Sequence, residues 1–244
     1  MKEIWLKAGQ SQATSNAPNY EGRLGLSDRA FEFSRGRDRY GNGTFADGDK
    51  MPLFPQQQDT PAGFDSPIGL GLPFALSRLK INRRIEQLMI VSAAFGGSSS
   101  QEWQPNRGLF KTAVELTYEA LTAYPDFTFM GIIWMQGERD ARIGRRIGEY
   151  EARNSNVLNS MRAALPNSES SVVVAGGIQT NGFESAEIVN NEIHRMPLYV
   201  PRSIVYDTSD LTTHDGTHYD SSDTGIPELG RRLALGAQTL IGSI

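Results

Sequence analysis

The chain has 244 residues, 39% hydrophobic and 21% charged, the balance of a globular protein long enough for one large α/β domain with its own core or for two small ones, with length alone favouring neither. Its formal net charge of −4 gives no electrostatic footing for nucleic acid or an anionic membrane surface, and no basic arm or zinc-finger spacing is present. Cysteine is absent, which excludes disulfides and thiolate metal sites, and no apolar run approaches the roughly 18 residues that span a bilayer.

The chain opens on Glu3–Ser11, E-I-W-L-K-A-G-Q-S, where Ile4, Trp5 and Leu6 predict a buried strand. Gly9 permits the backbone angles at which such a strand breaks into a loop, and Ser11 follows at its carboxyl end. In open α/β sheets that end faces the ligand crevice, so Ser11 is a candidate nucleophile. The alternative is a serine that makes a turn or caps a helix. No basic segment, apolar stretch or cleavage site precedes the strand, so the sequence shows no secretory signal.

Residues Gln12–Asp65 are polar and rich in Gly, Asn, Asp, Gln and Pro, and predict a long loop with little regular structure. Beginning beside Ser11, it is a candidate substrate wall, or else a mobile insertion without a role. Ser66–Arg84 predicts a helix, with Ser66-Pro67 as cap and first turn and Leu72, Ala75, Leu76 and Leu79 at helical spacing. Gly69-Leu70-Gly71 lacks the rest of a dinucleotide fingerprint, so no nicotinamide or flavin cofactor is expected. Leu88–Phe95 predicts a second buried strand ending in Gly96-Gly97-Ser98-Ser99-Ser100, a loop of small residues. A helix follows over Asn106–Tyr124, then a third strand over Phe127–Met135 that delivers Gln136-Gly137-Glu138. Ile147–Leu165 predicts a helix whose arginines form a solvated face, and Ser171–Gly176 a fourth strand. A helix over Glu184–Met196 and a fifth strand over Ser203–Tyr206 complete the alternation. The last segment carries His214 and His218, two of the three histidines, before a final helix from about Ser222 to Leu240. Strands alternating with helices imply right-handed crossovers and a parallel sheet covered on both faces. No internal repeat or linker divides the chain, so residues 1–244 are expected to form one domain.

A serine hydroxyl is a poor nucleophile near neutral pH and needs a base within hydrogen-bond reach, itself oriented by an acceptor. His218 and Asp215 meet that need, because the D-x-x-H spacing lets Asp215 reach Nδ1 while Nε2 faces the serine. His214 is the competing base, and His194 on its helix reads as structural. Asp220 and Asp223 read as turn and cap residues. Three donors are available for an oxyanion: the Ser11 amide, the Gly97 amide and the Gln136 side chain. Glu138 is either a second carboxylate at the substrate or a group that holds Gln136 or a loop by hydrogen bonds, and Trp134 reads as core. Ser98 is the rival nucleophile, although its surroundings fail the G-x-S-x-G pattern. No cluster of metal ligands stands out, and no cofactor is expected.

Taken together, G-Q-S at Gly9–Ser11, F-G-G-S-S at Phe95–Ser99 followed by Trp103, W-M-Q-G-E at Trp134–Glu138 and D-G-T-H at Asp215–His218 resemble the sialate O-acetylesterase and acetylxylan esterase group of SGNH hydrolases. The motifs run nearly the whole chain in order. The resemblance implies a three-layer α/β/α sandwich on a five-stranded, flavodoxin-like parallel sheet. It also implies Ser11 as nucleophile, His218 as base, Asp215 as its acid, and Gly97 and Gln136 with Ser11 as oxyanion hole. The implied activity is removal of O-acetyl groups from a carbohydrate, without metal or organic cofactor. Gln12 stands where the family usually has Asn, Ala13-Thr14 differ from its Met-Ala-Gly, and Arg139 occupies a position commonly filled by Ser. These changes bear on the pocket more than on the mechanism, and make Gln10, Gln12, Glu138 and Arg139 candidate substrate contacts. A cytoplasmic enzyme, a secreted one with its signal removed and a phage tail module all fit. A lipid-ester or thioester hydrolase of the same superfamily and a non-catalytic glycan-binding module are the other readings.

Overall fold

The structure is a computed structural model that describes residues 1–17, 27–33, 50–52, 68–179 and 182–242. Apart from Gln12–Ala17, Ser27–Phe33 and Lys50–Pro52, the polar region over residues 12–65 lies outside the described residues, as do Ser66 and Pro67.

The first strand, β1 (Lys2–Gly9), is buried along almost its whole length and sits in the middle of the sheet. Two short strands, β2 (Ser15–Ala17) and β5 (Ile68–Gly69), pair antiparallel as a ribbon that ties the segment after Ser11 to the start of the first helix. The main sheet also holds β3 (Ala30–Phe33), β4 (Lys50–Pro52), β6 (Gln87–Ser92), β7 (Thr128–Met135), β8 (Val172–Gly176) and β9 (Ser203–Tyr206). Its strand order is β4-β3-β6-β1-β7-β8-β9, and every pairing is parallel except that of β4 with β3. The five strands expected from the sequence follow the flavodoxin order β6-β1-β7-β8-β9.

The parallel part has six strands rather than five. The sixth, β3, reads A-F-E-F within the polar region, too short an apolar run to predict a strand. It is held by pairing with β6 from Ala30↔Leu88 to Phe33↔Val91, and its buried Glu32 lies 3.8 Å from the buried Lys7 amine of β1. Burial pushes the Lys7 amine below its ordinary range, with the Glu32 charge opposing.

Successive β1 residues point to opposite faces, as the period of a strand requires. Trp5 enters the core under α1 (Gly71–Ile81) and α6 (Ile226–Ile241), with Phe74, Ile90, Val174 and Leu233. Ile4 and Leu6 enter the core under α2 (Gly108–Ala123) and α4 (Glu149–Ala164), with Phe110, Leu116, Leu158 and Met161. A third cluster joins α3 (Glu138–Arg142) to α5 (Ala186–His194) through Ala141, Ile178, Val189 and Ile193. The layers are therefore helix, sheet and helix. One charged group is buried at the foot of β1: Glu3 accepts Arg78 Nη2 at 3.0 Å, Arg78 Nε at 3.2 Å and Trp5 Nε1 at 2.9 Å. Removing one partner from such a pair costs about 3–5 kcal/mol, because the other charge is left buried alone.

Most helices lie within a few residues of their expected bounds. The first starts at Gly71 with Leu70 as N-cap, with Pro73 early in the helix. The last starts at Ile226 rather than near Ser222, because Ser222 and Thr224 bond Thr212 and Asp220 in a turn instead. Helix α3 was not anticipated. Among the described residues, no helix is long and apolar enough to cross a membrane.

Candidate active site

Because β1 lies between β6 on one side and β7 on the other, its carboxyl end is the point where successive crossovers part and leave a crevice. Gly9 makes the exit. Its φ is +119°, and a Cβ there would lie 1.9 Å from the Met135 carbonyl oxygen, so the position admits only glycine. The next N–H, of Gln10, donates to that same oxygen at 2.7 Å. The chain then turns: Ala13 N–H donates to Gln10 O at 2.9 Å, and the Thr14 hydroxyl to Ser11 O at 2.7 Å. Ser11 is left half-buried on this turn.

The loop after β6 is drawn alongside, since Phe95 N–H donates to Gly9 O at 2.8 Å. Gly97 is exposed in this loop with φ 70°. Ser98 is 1% exposed, and its hydroxyl is spent, donating to Phe95 O at 2.7 Å and accepting Trp103 Nε1 at 2.8 Å. Trp103 in turn packs edge-on against Trp134, which is core as expected.

The D-x-x-H spacing is realised in the loop before α6. Asp215 Oδ1 accepts the backbone N–H of Thr217 at 2.9 Å and of His218 at 2.7 Å, while Oδ2 lies 2.7 Å from His218 Nδ1. Partial burial works against ionisation of Asp215, but the His218 and Thr217 hydrogen bonds outweigh it and hold the carboxyl down at about 2. It is therefore a carboxylate at neutral pH, placed to fix the imidazole tautomer that leaves Nε2 to accept a proton. His214 stacks on His218 at 5.7 Å with its Nε2 at 3.7 Å from Asp215 Oδ2, a looser second neighbour. Asp220 holds the turn into α6, accepting Thr212 Oγ1 and Ser222 N, which is the turn role expected of it.

Gln12 joins the two loops. Its Nε2 donates to Thr217 O at 2.6 Å, and its Oε1 accepts Tyr219 N–H at 3.4 Å. The residue after Ser11 is thus bonded to both neighbours of His218, some 205 positions along the chain. That clasp ties the Ser11 turn to the loop that carries Asp215 and His218, beyond the carboxyl end of the central strand β1.

The ligand atoms of His214, Asp215 and His218 lie within 4.8 Å of one another, a spacing that suits a cation as well as an acid–base pair. The donor set favours the pair, because both Asp215 oxygens already accept N–H hydrogen bonds with which a metal would have to compete.

At the end of β7, Gly137 has φ 153°, a backbone angle that strains any other residue, and a Cβ there would crowd the Ile193, Ile178 and Val189 side chains at 2.9–3.2 Å. This tight corner starts α3. Gln136, 1% exposed, donates its amide hydrogens to Ser98 O at 3.2 Å and Asp140 Oδ2 at 2.5 Å. Both hydrogens are spent, so the side chain expected to face an oxyanion instead holds the loop that carries Gly97. The expected partnership of Glu138 with Gln136 is likewise made by Asp140. That fully buried carboxylate also accepts Ser100 N and Oγ and Arg145 Nε, each at 2.7 Å. Sequence reasoning missed Asp140, whose one signal was its place four residues after Gln136, a single helical turn.

Of the four candidate substrate contacts, Gln10 and Gln12 are each 2% exposed and bonded within the protein, Gln10 accepting Arg139 N–H at 3.2 Å. Glu138 is also buried, and neither carboxylate oxygen has a hydrogen-bond partner. Burial pushes its carboxyl up to about 7, against its own backbone N–H, the His218 charge and the Gln12 amide, which sits at a geometry short of a hydrogen bond. Of these four, only Arg139 is exposed.

No curated protein sequence matches the chain. Several solved structures share its fold. One titled NanS is 16% identical with a TM-score of 0.78, covering 100% of this chain and 98% of that one. A protein from Arabidopsis thaliana is 18% identical with a TM-score of 0.75, covering 98% of each chain. A carbohydrate acetylesterase from Xanthomonas citri is 15% identical with a TM-score of 0.66, covering 99% of this chain and 57% of its own. The family model of carbohydrate esterases described as sialic acid-specific acetylesterase matches residues 1–239, almost the entire length. The chain therefore belongs to that family, and is a carboxylic ester hydrolase acting on the acetyl groups of carbohydrates.

Proposed function

We propose that this enzyme removes O-acetyl groups by a serine mechanism, with Ser11 as nucleophile, His218 as general base and Asp215 as the acid that orients it. The observation that carries the assignment is the Gln12 clasp, which ties the Ser11 turn to the residues on either side of His218. Ser11 Oγ attacks the acetyl carbonyl carbon while its proton passes to His218 Nε2. The imidazolium then gives that proton to the departing sugar oxygen, leaving an acetyl-enzyme that water hydrolyses with the same histidine as base. The 2.7 Å bond from Nδ1 to Asp215 keeps the ring in the tautomer both steps require.

The developing oxyanion is received by backbone N–H groups of Ser11 and Gly97. Gln136 serves this pocket indirectly, pinning the Gly97 loop through Ser98 O and being itself fixed by Asp140. Ser98 is set aside as a nucleophile because its hydroxyl already makes two hydrogen bonds in a buried position. Exposed Arg139, the departure from the family's usual serine, is the side chain best placed to contact the sugar.

Release of acetate from acetylated xylan, O-acetylated sialic acid and acetylated bacterial capsular glycans tests this function. Turnover of at least one glycan, retained in EDTA and absent in Ser11→Ala and His218→Ala, is expected. Activity lost on chelation and restored by a divalent ion would contradict it.

A further inference from the structure

The segments that follow β7 and β8 leave the sheet at the same end as Ser11 and run side by side. Ser185 joins them: its N–H donates to Ala141 O at 3.3 Å, and its hydroxyl accepts Arg145 N–H at 2.9 Å. Between them lies an open groove of about 770 Å³, lined by Arg145, Arg146, Ile147, Glu149, Glu184 and Ser185. Two of these side chains are held in place. Arg145 donates to Asp140 at 2.7 Å and to Glu149 at 3.3 Å, and Arg153 Nη2 lies 2.6 Å from Glu149. Others are not. Ile147 is 82% exposed, and Arg146 reaches Glu149 only through its backbone N–H at 3.3 Å.

Helix α3 leads from the catalytic turn to this groove. Arg139 N–H is bonded to Gln10 beside Ser11. Arg142 follows three positions later, on the same side of the helix and about 4.5 Å further along its axis. Its guanidinium lies 4.9 Å over the Phe183 ring, and Arg146 on the groove completes the series. All three arginines are exposed, and none is ion-paired among the described residues. That is a local surplus of positive charge on a chain whose net charge is −4. Of the two carboxylates on the lining, Glu149 is engaged by Arg145 and Arg153, and Glu184 alone opposes the surplus. A scattered exposed arginine is ordinary solvated surface. Here the unpaired guanidiniums border a concave space with an exposed aliphatic side chain and a ring face, the mixture that fixes a small polar ligand. A guanidinium fork matches a carboxylate, and apolar faces suit the C–H side of a sugar ring.

Resting on the serine mechanism above, we propose that this groove is a subsite for the sugar unit next to the acetylated one, and that this neighbouring unit carries a carboxylate. Arg146 binds that carboxylate, Arg142 and Phe183 lie along the path between the two units, and Arg139 stays with the acetylated sugar. The enzyme then deacetylates acidic oligosaccharide or polysaccharide chains in preference to free acetylated sugars.

The test compares acetate release from O-acetylated sialic acid, its O-acetylated trimer and acetylated xylotriose. For wild type, kcat/KM on the acidic trimer is expected to exceed that on the monomer and on xylotriose by about tenfold. Arg146→Ala should raise KM for the trimer about fivefold, and Glu184→Gln should lower it about twofold. Both variants should match wild type on the monomer and on p-nitrophenyl acetate, which also shows that they are folded. In the wild type, KM for the trimer should rise with salt while KM for xylotriose stays level, a measurement that needs no variant. Equal kcat/KM on monomer and trimer, or xylotriose turned over as well as the acidic trimer, overturns the proposal. So does a trimer KM unmoved by Arg146→Ala or raised by Glu184→Gln. Ser11→Ala reports separately on the mechanism: turnover of p-nitrophenyl acetate by that variant sinks the serine assignment, whereas loss of the chain-length preference with Ser11 intact sinks only the subsite.

Discussion

Replacing Asp215 by Asn changes one atom of the acceptor and leaves its volume unchanged. The Asn oxygen can still accept the Thr217 and His218 backbone hydrogens, now received by Asp215 Oδ1 at 2.9 and 2.7 Å. Its NH₂ must then face His218 Nδ1 at the position where Oδ2 stands 2.7 Å away. A donor there makes Nδ1 the acceptor and puts the ring proton on Nε2, the nitrogen that must be free to take the Ser11 proton. In serine proteases the same change costs about 10⁴ in kcat. Here the Asp215 side chain is 44% exposed, so water can restore the correct tautomer part of the time. We therefore expect a loss of about 10²–10⁴ in kcat, or about 2.7–5.4 kcal/mol of transition-state stabilisation, with KM within a few-fold. Acetate release measured under saturating substrate reads this directly. A loss smaller than about tenfold, in a variant that melts at the wild-type temperature, would refute the assignment of Asp215.

The same carboxylate predicts a pH effect on stability. Its folded pKa of about 2 lies below the ordinary carboxylate value, so the stability it confers is present above about pH 4 and is lost as pH falls towards 2. The difference in melting temperature between wild type and Asp215→Asn should close over that window, and a difference that grows instead would contradict the sign. His214→Ala should keep activity within a few-fold, since its nitrogen stands 3.7 Å from Asp215 against 2.7 Å for His218; equal losses in the two alanine variants would undo the choice of base. Asp140→Ala should destabilise the fold by about 3–5 kcal/mol in urea melts, because it leaves Gln136, Ser100 and the partly buried Arg145 without their acceptor. Gly9→Ala should fail to give soluble protein or melt far below wild type, and a melting temperature within 2 °C would show that the Met135 carbonyl can yield.

The strands that form the middle of the sheet were legible because β1, β6 and β7 are apolar runs closed by glycine, small residues or a polar turn. The Asp215–His218 pair was legible because a spacing of three within a loop is itself a geometric statement. Strand β3 was not, since A-F-E-F owes its place to pairing with β6 and to the Lys7–Glu32 contact, neither of which is local. Helix α3 was hidden by its polar sequence, E-R-D-A-R, and exists because Gly137 turns the chain and Ala141 packs on α5. The roles of Gln136, Asp140 and Glu138 could not be separated from sequence either. Three polar residues within five positions differ only in which of them finds donors, and that is settled by Ser98, Ser100 and Arg145 from elsewhere in the chain.

The central claim is that Ser11, delivered by the Gly9 corner and clasped to the His218 loop by Gln12, is the nucleophile. Labelling with a serine-directed fluorophosphonate followed by peptide mass spectrometry tests it most directly. A single adduct on the peptide containing Ser11 is expected, lost in Ser11→Ala and kept in Ser98→Ala. An adduct on Ser98, or undiminished labelling and turnover in Ser11→Ala, would contradict it.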